Sequence, residues 1–130
     1  MTIFAIIPPE FEAIAKRLQL SPAIVSSNHL YLSGITGTEA DGKIPDNLDA
    51  QIRTAFDKIG VILAEAGLGY QSIVEMTTYH IGLREHFEMF NAIRIEYCGE
   101  PFPAWTAVEV AGLQRKGINV EIRVVANMDV

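Results

Sequence analysis

Ile118-Asn119-Val120-Glu121-Ile122-Arg123-Val124-Val125-Ala126 is the stretch whose reading decides the fold. Side chains alternate across a strand, so Ile118, Val120, Ile122, Val124 and Ala126 share one face while Asn119, Glu121, Arg123 and Val125 share the other. The first set is apolar throughout and has to be covered. The chain offers two helical covers of suitable length. Leu48, Ile52, Phe56, Ile59, Ile62, Leu63 and Ala66 recur every three or four residues, behind Asp46 or Asn47 as cap, until Gly67 ends the run. A second helix spans about residues 84–97, turning inward Phe87, Phe90, Ile93 or the stem of Arg94, and Tyr97. Cys98-Gly99-Glu100-Pro101 stops it. The expected fold class is α+β: a mixed β-sheet with two long helices packed on one face.

Further strands follow from β-branched density and turn residues. Residues 104–110 make a strand that shares the C-terminal part of the chain with 118–126, and residues 72–81, apolar on both faces, make an interior strand. Residues 23–26 and 30–33 form a hairpin about Ser27-Asn28-His29, with Asn28 as the residue that tolerates a left-handed turn. Residues 34–43 read as a loop. Residues 1–19 are an N-terminal arm, whose opening apolar run is an edge strand or tucks against the fold, and a short helix with Phe11, Ile14, Ala15 and Leu18 on one face. If 104–110 neighbours 118–126, it sets either Trp105, Ala107 and Glu109 or Thr106, Val108 and Val110 beside Glu121. A sheet covered on one side that keeps apolar groups on the other has a surface to bury against another chain, which points to an oligomer.

The 130 residues fit a single domain, 1–130, large enough for one core without staples. Ten Lys and Arg against sixteen Asp and Glu give a net charge of -6 with no basic run, so no nucleic-acid partner is expected. One cysteine, no secretory signal pattern and no membrane-length apolar run make a cytoplasmic protein without a membrane partner the expectation. His29, His80 and His86 lack metal-site spacing, so neither a metal site nor one shared by the histidines is expected. Cys98, at a helix C-terminus where the dipole disfavours a thiolate, reads as inert.

Three places carry chemistry. Glu121 is a carboxylate inside an apolar strand, either paired with Arg123 or a residue of a neighbouring chain, or available as an acid or base. Trp105, the only tryptophan, either packs at a subunit interface or lines a ligand cleft. Ser33-Gly34 offers a hydroxyl and backbone N–H groups, or is simply a turn. Glu85 and Glu88 with Arg94 read as a solvated helix face.

From Leu20 to Ala126 the chain resembles the RidA (YjgF/YER057c/UK114) family. The matching pieces are Ser21-Pro22-Ala23, Leu32-Ser33-Gly34, Gln51 with Ala64-Glu65-Ala66-Gly67-Leu68, Ile73-Val74, Thr77-Thr78, Asn91, Pro103-Ala104, Val108-Glu109-Val110 and Val120-Glu121-Ile122. The resemblance implies a chorismate-mutase-like fold, a homotrimer, and small-molecule sites in clefts between subunits. It also implies hydrolysis of enamines or imines such as 2-aminoacrylate, with no cofactor. Carried over residue by residue, it makes Glu121 the catalytic group that positions water, and Leu20, Ser33, Gly34, Asn91, Trp105 and Ala107 the ligand-binding positions. At three of these the chain departs from the family pattern: Trp105 replaces an arginine that grips the substrate carboxylate, Leu20 replaces a tyrosine, and Ala107 stands where a cysteine is common. An indole offers one N–H donor and a flat apolar face in place of a bidentate cationic fork, which implies an altered ligand. The same resemblance admits a non-catalytic ligand-binding or protein-partner module.

Overall fold

In the computed structural model, which describes residues 2–129, the decisive stretch runs through the middle of the sheet. The strands are β1 (Phe4–Ile6), β2 (Ala23–Ser26), β3 (His29–Leu32), β4 (Ile35–Thr36), β5 (Ile73–His80), β6 (Ala104–Glu109) and β7 (Val120–Asn127). The helices are α1 (Glu12–Leu18), α2 (Leu48–Glu65) and α3 (Leu83–Tyr97). Across the sheet the order is β1-β2-β3-β7-β5-β6, with β4 also pairing β7. β5 and β6 run parallel through the α3 crossover, and every other pairing is antiparallel, so the sheet is mixed.

The alternation in β7 holds. Val120, Ile122 and Val124 are fully buried beneath the helices, whereas Glu121 and Arg123 are half-buried on the opposite face. Above them α2 contributes Ile52, Phe56, Ile59, Ile62 and Leu63, and α3 contributes Phe90 and Ile93. Asn47 caps α2 by accepting from the Ala50 N–H at 3.2 Å. The Phe56 ring stacks on Tyr97 at 4.8 Å, and Tyr97 meets the edge of Tyr70 at 5.4 Å. The Tyr70 hydroxyl, donating to the Phe56 carbonyl, fills the space where a side chain at Gly60 would begin, so that mid-helix glycine is a packing requirement.

Several expectations need correcting. β6 does not neighbour β7: β5 lies between them, because α3 returns the chain parallel to β5 rather than back across the end of the sheet. The stretch 34–43 is not all loop, since Ile35 and Thr36 pair with Ile122 and Glu121. In the hairpin turn Ser27, not Asn28, takes the left-handed conformation, with φ 55°. Phe87 is 38% exposed rather than inward, and Ile14 and Leu18 are likewise exposed, because α1 buries only Ala15 and the preceding turn only Phe11. The opening run, by contrast, takes the first of its two expected forms, an edge strand, β1 on β2. No helix among the described residues is long and apolar enough to cross a membrane.

Candidate functional site

Pairing across the sheet decides which side chains can meet, because directly opposed residues share a face. Met76 stands opposite both Val124 and Trp105, which puts Trp105 and Ala107 on the helix-covered side. Tyr79 stands opposite both Glu121 and Val108, which puts Glu121 on the open side with Thr106 and Val108. The proposed site residues therefore fall into two groups on opposite faces of one chain.

On the open side, Glu121 lies against Gly34: a Cβ there would collide with its carboxylate, so the glycine makes the room the acid occupies. Glu121 has no hydrogen bond or ion pair among the described residues, and burial pushes its carboxyl above the usual range. The expected intrachain pairing with Arg123 is not made. Next to Gly34, the Ser33 hydroxyl donates to the Ser21 carbonyl at 2.7 Å, which ties this strand end to the segment holding Leu20. Leu20 is 39% exposed and lines an open cavity of about 740 Å³ with Ile7, Glu12, Lys16 and Ser21. The short strand β4 is held from α2 by Lys58, whose ammonium donates to the Thr36 carbonyl at 2.9 Å and to the Thr38 carbonyl and hydroxyl at 3.1 Å. No acid among the described residues pairs with it, and burial lowers its pKa.

On the covered side, the Trp105 indole N–H donates to the Thr78 hydroxyl at 2.9 Å, and the ring stacks nearly parallel on Phe87 with centroids 5.4 Å apart. The cation on its face is the chain's own: the Arg94 guanidinium sits 4.3 Å from the ring centroid. Asn91, carried over as a ligand-binding position, accepts from Arg94 Nε at 3.2 Å and Nη2 at 2.9 Å. Arg94 is only 8% exposed, which corrects its reading as part of a solvated face: the flat guanidinium is carried inward on an aromatic shelf.

Trp105 also starts a buried polar chain. Thr78 contacts His80 Nε2 at 2.6 Å, and His80 Nδ1 contacts His86 Nε2 at 3.0 Å. Because an indole only donates, the arrangement that gives the Thr78 hydroxyl proton a partner has Thr78 donating to His80 and neutral His80 donating to neutral His86. Burial lowers the pKa of both, that of His80 to about 4. The two histidines thus share a site, contrary to expectation; among the described residues no group of three ligating side chains accompanies them. Glu109, at the end of β6, accepts from the Gly82 and Leu83 N–H groups at 3.0 and 2.7 Å and so caps α3. Cys98 is buried, and burial rather than the helix dipole alone raises its thiol pKa.

Sequence reasoning did not single out Lys58, and it named Arg94 only as an inward stem or a solvated charge and Thr78 only within a matching pair, not as partners of Trp105. The available signal for Arg94 was its place three residues after Asn91 and seven after Phe87, on the same stripe of α3.

A family model described as endoribonuclease L-PSP matches residues 11–128. RutC family protein YjgH of Escherichia coli (strain K12) is 32% identical over 125 residues, covering 95% of this chain and 94% of that protein. A Bos taurus protein named 2-iminobutanoate/2-iminopropanoate deaminase is 32% identical over 108 residues, covering 82% of this chain and 77% of that protein. The solved structure of protein YJGH superposes with a TM-score of 0.88 at 31% identity over 98% of each chain, and with such neighbours the architecture is the chorismate-mutase-like α+β fold.

Proposed function

The chain belongs to the endoribonuclease L-PSP family, which includes the RutC and RidA proteins, and on that premise we propose that it is a homotrimer hydrolysing a small enamine or imine in clefts between subunits. The observation that carries the reading is Glu121, a half-buried carboxylate beside Gly34 with no partner of its own among the described residues. Trp105, Ala107 and Asn91 lie on the other side of the sheet, so one ligand can touch both groups only if two chains contribute. A trimer built on the open sheet face satisfies that requirement and covers the apolar and neutral side chains of that face.

In the proposed reaction the imine carbon is attacked by water. Glu121 accepts the water proton as the C–O bond forms, and the nitrogen takes up a proton. Collapse of the carbinolamine forms a C=O bond and breaks the C–N bond, and the hydroxyl proton passes to the departing nitrogen, which leaves as ammonia. An enamine enters by prior protonation at its β-carbon. Water is the only co-reactant, and the raised carboxyl pKa brings Glu121 nearer the range in which a carboxylate exchanges protons efficiently.

A second reading, a binding module on the same scaffold, is favoured by Trp105, whose N–H and ring face are already engaged by Thr78 and Arg94. One experiment tests the first against the second. Light scattering should give three times 14.3 kDa. Added to a serine-consuming dehydratase, the trimer should speed ammonia release, and Glu121→Gln should remove most of that acceleration, on the order of 10²-fold, with the mass unchanged. A trimer that gives no acceleration would favour the binding module, and a monomer would sink both readings of the cleft.

A further inference from the structure

Lys58 carries a charge that holding β4 does not require. Its ammonium donates to the Thr36 carbonyl at 2.9 Å and to the Thr38 carbonyl and hydroxyl at 3.1 Å, three uncharged oxygens. An amide could hold such oxygens without the cost of a buried cation, which leaves the charge to be accounted for. The one side-chain oxygen among the three, Thr38 Oγ1, lies 3.4 Å from Thr36 Oγ1, in a contact that allows either to donate. A hydroxyl that already accepts from a cation is polarised toward donating. The sense that the charge favours therefore runs from Lys58 to Thr38 to Thr36. Thr36 then keeps its own proton, and no other acceptor among the described residues takes it.

Pairing decides where that proton lies. Ile35 stands opposite Ile122 beneath the helices, so Thr36, next in the strand, shares the open face with Glu121 directly opposite. Opposed Cβ atoms of such a pair are about 4.5–5.5 Å apart. Both residues are half-buried. A hydroxyl donor and a carboxylate thus stand side by side on the face where the ligand is proposed to sit.

We propose that Thr36 is the acid of this site: it gives the imine nitrogen its proton as Glu121 takes one from the attacking water, with Thr38 and Lys58 as positioning residues behind it. The inference rests on the hydrolase reading above and supplies the acid that reading lacks. The N–H bond forms as the Thr36 O–H bond breaks. Thr36 is refilled from Thr38, and Thr38 from Lys58, which is left a neutral amine while Glu121 is left protonated. After ammonia departs, Glu121 gives up its proton and Lys58 regains one, along the same hydroxyls or through water, and both ends are restored. Burial lowers the ammonium pKa of Lys58 and raises the carboxyl pKa of Glu121, so each end gives or takes its proton more readily. Of the ionisable groups nearby, Asp57 on α2 accepts from the Tyr97 hydroxyl and Glu39, after Thr38, is exposed. Tyr79 and Arg123 share the open face with Glu121.

The test follows ammonia release in the dehydratase-coupled assay as a function of pH. Thr36→Val keeps the shape and removes the hydroxyl; it should lower the acceleration on the order of 10²-fold, and Thr36→Ser should restore most of it. The unmutated protein should slow at low pH, as Glu121 is protonated, and again at high pH, as Lys58 loses its proton. Lys58→Met should be slower and should lose the alkaline fall while keeping the acid one. Thr38→Val, which cuts the path but leaves both carbonyl bonds of Lys58, should do the same. Lys58→Arg, a permanent cation that yields no proton, should stay slow. Full acceleration by a folded Thr36→Val overturns the proposal and leaves Glu121 as the base. So does an alkaline fall that persists in folded Thr38→Val, or a rate rescued by Lys58→Arg, which would make Lys58 a latch for β4 alone. An unmutated protein that gives no acceleration sinks the hydrolase reading, and this inference with it.

Discussion

The two faces of the sheet treat their polar groups in opposite ways. Beneath α3, Trp105, Thr78, His80 and His86 pass hydrogen bonds from one to the next, and Glu109 closes the helix end above them. On the open face Glu121 has room made for it by Gly34 and no partner among the described residues. A satisfied buried network specifies a fold, whereas a half-buried carboxylate without a protein partner is left to solvent or to whatever meets that face. Arg94 is the exception on the covered side, a group that α3 holds firmly yet leaves with an idle donor.

The largest effect should come from breaking the covered side at its apolar floor. Phe90 is fully buried, meets the edge of His80 at 4.8 Å and lies over Trp105 at 5.8 Å. Phe90→Ala should cost about 3–5 kcal/mol in denaturant unfolding. It should also release Trp105 to a solvent-like emission. A loss under about 1 kcal/mol would mean that α3 is not fixed through this contact.

Next in size is the histidine pair, which sharpens the comparison by pH. His80 and His86 are kept neutral by burial, with each other, Glu109 and Glu85 as the ionisable groups around them. A histidine with a lowered folded pKa contributes stability that is present above its unfolded value of about 6.5. That stability drains away as pH falls, because the unfolded chain takes up the proton first. Between pH 6.5 and about 4 the protein should lose on the order of 2 kcal/mol. Unfolding curves of His80→Gln should be flatter across the same interval. An equally steep loss in that variant would move the acid sensitivity to other groups.

Much of this contrast was legible in the sequence, and the part that was not has physical causes. The alternation of β7 and the stripe of α2 are local periodicities, and both survive in the fold. Glu121 stood out as a charge in an apolar strand and Ser33-Gly34 as a strand end or turn, but that Gly34 makes room for the carboxylate is a tertiary contact that no local pattern carries. Whether Trp105 shares a face with Glu121 was not readable. It depends on the parity of two pairings through β5, a strand that the β5–α3–β6 crossover inserts between them. Arg94 was misread because a charged residue on a helix is ordinarily solvated, and only the tertiary position of Trp105 gives it an interior place. The histidine pair was missed because six residues separate its members across the turn at Gly82, where neither strand nor helix periodicity applies.

The smallest expected effect is the most discriminating, because its sign differs between the two faces. Removing a group from the covered network leaves its neighbours unpaired, so any such change should destabilise. Glu121 has no neighbour to strand. Its raised pKa means that burial penalises the carboxylate, so its folded form gains stability as pH falls through that pKa and carries a small penalty above it. Glu121→Gln should then leave thermal stability at pH 7 unchanged or raise it by less than about 1 kcal/mol, even as it removes activity. The same variant measured near pH 4, where the acid is protonated, should match the unmutated protein more closely still. A loss of stability on Glu121→Gln, growing with pH and tracking the dissociation of the proposed trimer, would show instead that the carboxylate meets a cation of a neighbouring chain. In that case the open face would be as fully paired as the covered one, and Glu121 would serve assembly in place of chemistry.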